Sequence, residues 1–431
     1  MKVLALTHAH LDKAGLSPVS CERADGFVYT WIMRCKWAVD IVYTKDTKWG
    51  GPWGNGIGLN ANVITVSPGS LMISEGSFKY RIKSCFKEFR IRELMQMFGE
   101  RVYAQLCFYF PLPKVSFLKA RFWASTISKC LVDKYDFIFV SSGRGDEYLL
   151  ETGYRLSKKI GIPLIIDFRD LFSAHHDAQR FTIKQRIQFK KYERKIFERT
   201  VLISTPQLQD VDLLSTYAGT SVIQVSHSYY IRPEWNNDVQ EPNEFCITYT
   251  GKLYASSPGY RLFLDFVRAI NLRFKRVFFQ IFTDQPEAIQ KDVNTKNLKN
   301  VVISSWKTPQ EIWRHLRQAR VVLIYNSSVG EGRSLLPTKA FISAATGNKI
   351  LFLYSYFDQA VENFVQEYNC GIQVQSVDNA VKWFERNYVD TTMELKKLNE
   401  LIPERLMVSY QFGLSIEKQL TEYNRGVSLK M

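Results

Sequence analysis

The chain has 431 residues, which is longer than a single hydrophobic core supports, so its length predicts two domains of about 200 residues each. A hydrophobic fraction of 46% with 23% charged residues excludes a disordered chain, and no apolar run approaches the ~18 residues of a membrane-spanning helix. The net charge of +15 indicates an anionic partner, such as nucleic acid, an acidic membrane surface or a phosphorylated substrate.

The cysteines and the first residues indicate a cellular compartment. Seven cysteines are scattered along the chain without a Cys-x-x-Cys spacing, which is typical of reduced thiols in a cytosol rather than of disulfides or a zinc site. The opening MKVLALTHAH reaches two histidines too early for a secretory signal peptide and instead predicts a first strand. We therefore expect a cytoplasmic protein.

In the first half of the chain, short apolar runs alternate with helical stretches. The runs are continuously β-branched rather than alternating, which predicts strands covered on both faces in a parallel sheet. These strands are expected near residues 2–7, 39–43, 62–66, 137–141, 163–167, 200–204 and 222–226.

Residues 79–113 interrupt this alternation. They combine one apolar helical face, many basic residues and the aromatic segment CFYFPLP at 107–113. A helix packed on a core with a solvated basic face explains the pattern, and so does a basic amphipathic helix lying on an anionic bilayer. On the second interpretation, the residues that contact the membrane are Lys83, Lys87, Arg90 and Arg92.

The polar stretch 232–243 contains two prolines and no apolar periodicity, and it is the expected interdomain linker. Two βα arrays on either side of it predict an α/β fold of two doubly wound, Rossmann-like domains. We expect these domains to span residues 1–230 and 244–400. The strands of the second half are expected near residues 245–249, 277–283, 300–304, 320–325, 350–354 and 371–374.

Residues 325–350 predict the end of a buried strand, a loop rich in Ser and Gly, a helix and another strand. The N-terminus of such a helix presents free N–H groups and the positive end of the helix dipole, which favour phosphate. Any connection between a strand and a helix has the same outline, so a purely structural role stays open. The polar residues on or near this rim are Glu331, Ser334, Thr338 and Lys339.

Four motifs follow one another in a specific order. They are DFRDLF (167–172), VLISTPQLQD (201–210), YTGKLY (249–254) and PTKAFISAATGNKIL (337–351). In this order they resemble the family-4 type of retaining glycosyltransferases, especially the bacterial enzymes of surface-polysaccharide assembly. The resemblance covers most of residues 130–360.

The resemblance implies the GT-B fold, in which two Rossmann-like domains face each other across a cleft. The N-terminal domain would bind the acceptor, and the C-terminal domain would bind a UDP- or GDP-linked sugar. A C-terminal helix at about 412–425 would pack back on the N-terminal domain, with Leu414, Ile416 and Leu420 as its apolar edge.

The resemblance also assigns donor-binding residues. Gly251 and Lys252 correspond to the pair that contacts the donor diphosphate, and Lys339 corresponds to the lysine of the PxKxFEY motif. Ile342 stands where the family has a ribose-binding glutamate, and Ser334 stands where a second glutamate is common. Glu331 is a nearby carboxylate that could compensate, and Thr338 completes the donor-binding set.

The candidate catalytic residues Asp167, Arg169 and Asp170 follow a parallel strand, where the edge of the cleft is expected. A structural pair of Arg and Asp that holds the loop explains the same pattern. His10 and Gly15 follow the first strand and are candidates on the acceptor side.

No metal or cofactor is expected, because cations and helix N–H groups can stabilise the departing diphosphate. The Asp210-Val211-Asp212 sequence is interpreted as solvated helix surface rather than a metal site.

The predicted function is transfer of a sugar, with retention, from a nucleotide sugar to a lipid-linked oligosaccharide in the synthesis of a capsule or O-antigen. The enzyme would lie peripherally on the inner face of the cell membrane. A nucleic-acid-binding protein would also explain the charge, although no recognition module such as a zinc finger is present. A non-catalytic partner that retains the fold would explain Ile342, and the two alternatives stay open.

Overall fold

The structure is a computed structural model. It describes part of the chain. The described residues are 1–7, 18–44, 61–66, 117–131, 134–142, 147–169, 171, 183–226, 245–251, 253, 258–305, 307, 309–325, 336–389 and 401–428. Within them the chain forms thirteen strands and twelve helices. The predicted membrane segment at 79–113 and the predicted linker at 232–243 lie outside these residues.

The chain divides into two compact units. One unit consists of residues Met1–Leu11, Phe27–Ser226 and Tyr410–Met431, and the other of Asp12–Gly26 and His227–Ser409.

The first unit contains a parallel sheet of seven strands in the order β3-β2-β1-β4-β5-β6-β7. The order reverses between β1 and β4, as in doubly wound sheets. Its strands are β1 (Lys2–Leu6), β2 (Ala38–Thr44), β3 (Ala61–Val66), β4 (Phe137–Ser142), β5 (Leu164–Phe168), β6 (Thr200–Thr205) and β7 (Ser221–Gln224). Its helices before the C-terminus are the part of α1 (Pro18–Met33) from Phe27 onward, α2 (Phe117–Cys130), α3 (Glu147–Ile160), α4 (Ile183–Phe197) and α5 (Leu208–Ser215).

The second unit contains a parallel sheet of six strands in the order β10-β9-β8-β11-β12-β13, with its reversal between β8 and β11. Its strands are β8 (Cys246–Thr250), β9 (Phe278–Thr283), β10 (Val301–Ser305), β11 (Val321–Tyr325), β12 (Lys349–Leu353) and β13 (Gly371–Val374). Its helices are α6 (Pro258–Arg273), α7 (Pro286–Thr295), α8 (Pro309–Gln318), α9 (Thr338–Ala345), α10 (Gln359–Tyr368) and α11 (Val377–Val389).

The alternation of side chains along β11 explains why its sequence is continuously apolar. Val321, Leu323 and Tyr325 belong to the core cluster on one face of the sheet, together with residues of α6 and α11. Val322 and Ile324 belong to the cluster on the other face, with residues of α8, α9 and α10. Because both faces are covered by helices, successive residues of the strand are all buried.

The last helix, α12 (Leu401–Ser428), packs its second half against aromatic residues of the first unit. The ring centroid of Phe412 lies 4.9 Å from that of Phe27 and 5.8 Å from that of Trp31. Trp37 Nε1 donates a hydrogen bond of 3.2 Å to Glu417 Oε1. Aromatic stacking and burial therefore hold this helix on α1 and the first sheet.

All thirteen strands predicted from the apolar runs are confirmed, with boundaries shifted by at most two residues. Two expectations about side chains are wrong. Leu414 is 38% exposed, and Phe412 takes its place in the apolar edge of α12 with Ile416 and Leu420. Asp210 is buried instead of solvated; it lies in the first turn of α5, where the helix dipole offsets part of the cost of burying a carboxylate.

Candidate functional site

The candidate site lies at the carboxyl ends of β8 and β11, where the strand order of the second sheet reverses. These two strands are neighbours in the sheet although about seventy residues separate them in sequence. At such a reversal the connections after the two strands leave toward opposite faces, which opens a crevice for a ligand. The side chains that meet here come from β8, β11 and the first turn of α9.

Lys339 brings a positive charge to this edge. It belongs to α9, which packs on one face of the sheet, and its ammonium reaches the tyrosines of the opposite face. Lys339 Nζ lies 4.4 Å from the ring centroid of Tyr249 and 5.8 Å from that of Tyr325. It is also 3.4 Å from the hydroxyl of Tyr249 and 3.5 Å from the carbonyl oxygen of Thr250.

The two rings form a continuous aromatic surface beneath the ammonium. Their centroids are 5.6 Å apart, and each ring also packs on Phe263 of α6, at 5.3 Å for Tyr249 and 5.8 Å for Tyr325. Both tyrosines are nearly completely buried, so the rings have little freedom to turn away from the lysine.

Gly251 follows β8 directly and lies beside the ammonium of Lys339. Its φ of +140° lies in a region that side chains with a Cβ rarely adopt. A Cβ at this position would lie 3.2 Å from Lys339 Nζ and 3.3 Å from the Tyr249 hydroxyl. Its N–H donates to the carbonyl oxygen of Phe282 at 3.0 Å, which fixes the turn to the end of β9. Glycine is therefore needed for both the backbone angle and the space beside the ammonium.

The ammonium of Lys339 is buried although it lies at the edge of a sheet. Among the described residues, no carboxylate forms an ion pair with it. Burial of the ammonium lowers the pKa of Lys339 from 10.5 to about 7. Lys339 is half-buried as a residue, and the ammonium is the part whose hydration the surrounding atoms reduce. The site thus holds a desolvated cation whose charge no described acidic group neutralises.

The start of α9 adds a second feature that favours an anion. Pro337 occupies the N-cap position, and its ring offers no acceptor to the N–H groups of the first turn, which begins at Thr338. Ile342, on the next turn, packs against the apolar cluster under α9 instead of presenting an acidic group. The Ala340 N–H donates to the carbonyl oxygen of Pro337 at 2.9 Å. The first turn therefore combines backbone N–H groups, the positive end of a helix dipole and the charge of Lys339.

In the first unit, Asp167 is completely buried near the end of β5. Its two carboxylate oxygens accept hydrogen bonds from Ser141 of β4 at 3.0 Å and Ser204 of β6 at 2.8 Å. The backbone N–H of Arg169 donates to the carbonyl oxygen of Ser142 at 2.9 Å. Asp167 therefore ties three adjacent strands together, and the loop bearing Arg169 starts from this fixed point.

The structure brings together two of the predicted donor residues, Gly251 and Lys339, and places Thr338 at the start of the same helix. Sequence reasoning did not single out Tyr249 or Tyr325. Each of these tyrosines stands near the end of an apolar strand, and this was the signal available in the sequence. It indicates a shared site only once β8 and β11 are known to be neighbours. The other predicted site residues lie outside the described residues: His10, Gly15, Lys83, Lys87, Arg90, Arg92, Asp170, Lys252, Glu331 and Ser334.

Two kinds of feature are absent from the described residues. No group of three or more His, Cys, Asp or Glu side chains within them is placed to hold a metal ion. No helix within them combines the length and the apolar character needed to cross a membrane.

No protein-family model matches the sequence, and no curated protein matches it significantly. Solved structures do resemble it over its whole length. A glycosyltransferase from Rickettsia africae superposes with a TM-score of 0.55 at 12% identity, covering 97% of this chain and 98% of its own. The α,α-trehalose-6-phosphate synthase of Burkholderia multivorans superposes with a TM-score of 0.58 at 12% identity, covering 99% of both chains.

A third structure, described as a UDP-N-acetylglucosamine 2-epimerase from Listeria monocytogenes, superposes with a TM-score of 0.54 at 8% identity, covering 98% of this chain and 97% of its own. At these identities the likeness concerns the fold alone. With the two reversing parallel sheets, it confirms the predicted two-domain α/β GT-B fold.

Proposed function

We propose that the protein is a glycosyltransferase whose second unit binds a UDP- or GDP-linked sugar through its diphosphate. The observation that carries this proposal is the ammonium of Lys339, which is enclosed at the strand-order reversal beside Gly251 and the first turn of α9. None of the described carboxylates pairs with this buried cation, and such burial is costly unless an anion binds to it.

Glycosyl transfer requires positive charge and hydrogen-bond donors beside the leaving diphosphate. Cleavage of the bond between sugar and diphosphate places negative charge on the leaving group, and fixed donors around it stabilise that charge. Lys339 and the backbone N–H groups at the start of α9 supply such donors within the described residues. We propose that Lys252, Glu331, Ser334 and Thr338 complete the donor site, that the reaction proceeds with retention, and that it requires no metal ion.

We propose that the first unit holds the acceptor. Its own strand order reverses between β1 and β4, and His10 follows β1 in the chain. Gly15, the other proposed acceptor-side residue, belongs to the stretch Asp12–Gly26 that groups with the second unit. Asp167 has both carboxylate oxygens engaged by serine hydroxyls, so we assign it the role of a positioning residue. The groups proposed to face the reacting sugar are then Arg169 and Asp170, which follow it directly.

The acceptor proposed from the sequence is a lipid-linked oligosaccharide of capsule or O-antigen synthesis, presented at the inner face of the cell membrane. Support for it comes from the charge of the first 230 residues, which contain 32 Lys and Arg against 21 Asp and Glu. The basic residues of segment 79–113 would contact the anionic lipid surface.

A non-catalytic partner that keeps the fold is the second candidate, and Ile342 favours it. The family glutamate that holds the ribose is replaced by a side chain that packs into the apolar cluster under α9. The cost of burying the Lys339 ammonium, which no described carboxylate neutralises, argues that the diphosphate contact is retained even though the ribose contact is changed.

Calorimetric titration of the intact protein with UDP-glucose and GDP-mannose tests the donor site. Lys339→Met should weaken binding of whichever nucleotide sugar binds by about 1.5–3 kcal/mol, the value of a hydrogen bond to a charged group. Lys349→Met is the matched control, because Lys349 lies at the opposite end of β12, where its ammonium is 3.4 Å from the carbonyl oxygen of Asn369. Equal affinities for wild type and Lys339→Met would remove the proposed site.

A further inference from the structure

We propose that Tyr249 and Tyr325 are positioning residues that seat the ammonium of Lys339 in place of a counter-ion, so that the diphosphate binds together with a proton. This inference rests on the proposed donor site and adds to it the means by which the site keeps its cation available. Both tyrosines stand in the segments that suggested the donor site, YTGKLY (249–254) and residues 325–350, but the sequence assigned neither of them a role.

The geometry of the seat supports this role. Lys339 Nζ is 4.4 Å from the Tyr249 centroid, well within the ~6 Å over which the negative face of an aromatic ring attracts a cation. The ring of Tyr325 adds a second attraction at 5.8 Å. Both rings are buried and packed on Phe263, so the attraction is exerted from a fixed position.

Whether Lys339 is paired with a ring or with a carboxylate determines whether its ammonium remains available to a phosphate. A carboxylate would neutralise the lysine and repel an incoming diphosphate. The face of a ring holds the cation while keeping no formal charge of its own, so the hydrogens of the ammonium that point away from the rings remain available to a phosphate oxygen. A preoriented cation of this kind loses little side-chain entropy on binding.

Proton uptake follows from the same enclosure. The titratable groups of described elements that face the ammonium are the two tyrosines, one on β8 and one on β11, and α9 itself contributes no other charged side chain there. With the pKa of Lys339 near 7, the empty site is partly neutral at physiological pH. Because the anion binds the protonated lysine, binding draws a proton from solution and weakens as the pH rises.

The experiment is calorimetric titration of the full chain with UDP-glucose and GDP-mannose, whose diphosphates do not titrate near neutral pH. For the wild type, affinity should fall roughly thirtyfold from about pH 6 to about pH 8.5, as expected for a lysine with a pKa near 7. At about pH 7, heats measured in buffers of different ionisation enthalpy should show net proton uptake. Lys339→Met should bind weakly with a flat pH profile.

Substitutions of the tyrosines separate a seat from a merely structural role. Tyr249→Leu and Tyr325→Leu remove a ring and should each weaken binding by roughly three- to thirtyfold, the range of a cation–π contact. Tyr249→Phe and Tyr325→Phe keep the ring and should restore most of the affinity. Tyr368→Leu is the matched control, since it removes a ring on α10 that packs on Phe364 at 4.9 Å and does not touch the lysine.

The outcomes are distinguishable. If the wild type binds neither nucleotide sugar at any pH, the proposed function and this inference both fail. If the wild type binds and Lys339→Met does not, while the leucine variants bind like the wild type, the inference fails and the donor site stands. A wild-type affinity that does not change with pH overturns the inference in the same way, and loss in the leucine variants with rescue by phenylalanine supports it.

Discussion

At the scale of a single residue, the enclosed ammonium of Lys339 imposes a cost on the folded protein that a ligand would relieve. Burial of the ammonium lowers the pKa of Lys339, and cation–π attraction from Tyr249 and Tyr325 acts against that loss of hydration. Strained or destabilised residues of this kind are concentrated at functional sites, because binding makes use of them.

The stability of the unliganded protein should therefore respond to Lys339→Met in a pH-dependent way. Between pH values of about 7 and 10.5 the unfolded chain binds one more proton at this residue than the folded protein does, so wild-type stability rises across that window. Below about pH 7 the lysine is charged in both states, and the folded protein is destabilised by the full cost of burying the ammonium. Urea unfolding should show Lys339→Met more stable than wild type by about 1–3 kcal/mol at about pH 6, with the difference shrinking by about pH 9.5.

The control for this measurement is Lys349→Met, which changes a lysine at the other end of the second sheet. It should alter stability by no more than about 0.5 kcal/mol at either pH. A Lys339→Met variant that is less stable than wild type at about pH 6 would show that the ammonium is not a destabilising group.

At the scale of the elements, the docking of α12 depends on a few aromatic contacts. Phe412 is buried against Phe27, Trp31 and Phe139, and Gly413 beside it lets the helix approach closely: a Cβ there would lie 3.0 Å from Cys35 Sγ. Burial and the nearby Glu417 raise the pKa of the Cys35 thiol to about 11, which makes this cysteine an unreactive part of the contact.

Phe412→Ala should therefore lower the free energy of unfolding by about 3–5 kcal/mol, because it leaves a cavity among packed rings. Leu414→Ala changes a 38% exposed residue two positions away on the same helix and should cost less than about 1 kcal/mol. Urea unfolding followed by tryptophan fluorescence measures these losses, with Trp31 and Trp37 beside α12 among the nine tryptophans that contribute to the signal. Similar losses in the two variants would contradict the described packing of α12.

The elements also show how far the sequence alone could lead. Strands were predictable because most residues of a strand covered on both faces are apolar, and this leaves a readable run. The full length of α12 was not, because Phe412, Ile416 and Leu420 recur at intervals of four among polar residues and Pro403 stands in the first turn. Lys339 and Gly251 were predictable from motifs. The aromatic seat was not, because it depends on β8 lying beside β11, and the order of strands in a sheet is not written in either strand.

At the scale of the whole molecule, the fold does not identify the activity, and the net charge does not identify the anionic partner. The GT-B fold serves more than one kind of chemistry, so the activity has to be argued from the site. The net charge of +15 is long-range, and it attracts nucleic acid as readily as an anionic bilayer. Measurement of membrane binding separates these two partners.

We expect segment 79–113 to hold the protein on anionic membranes. Each basic residue near such a surface contributes about 1 kcal/mol, and salt screens the attraction. In co-sedimentation with anionic liposomes, wild type should bind at low salt and dissociate at high salt. Replacement of Lys83, Lys87, Arg90 and Arg92 by glutamate should abolish binding.

The matched control makes the same change in charge on the second unit, at the exposed residues Arg268, Lys275, Arg276 and Lys291. It should bind liposomes nearly as well as wild type. Equal loss in both variants would show attraction by net charge alone, and equal binding by both would remove the membrane from the proposal. Preference for DNA over liposomes, with a steep dependence on salt, would favour the nucleic-acid alternative.

The central claim, that the second unit binds a nucleoside diphosphate at Lys339, is tested most directly by a crystal structure of the complex with UDP or GDP. We predict the diphosphate at the reversal between β8 and β11, with Lys339 Nζ about 2.7–3.2 Å from a phosphate oxygen and the N–H groups at the start of α9 directed at it. A nucleotide bound elsewhere, with Lys339 still on its tyrosines and without a phosphate contact, would contradict the account.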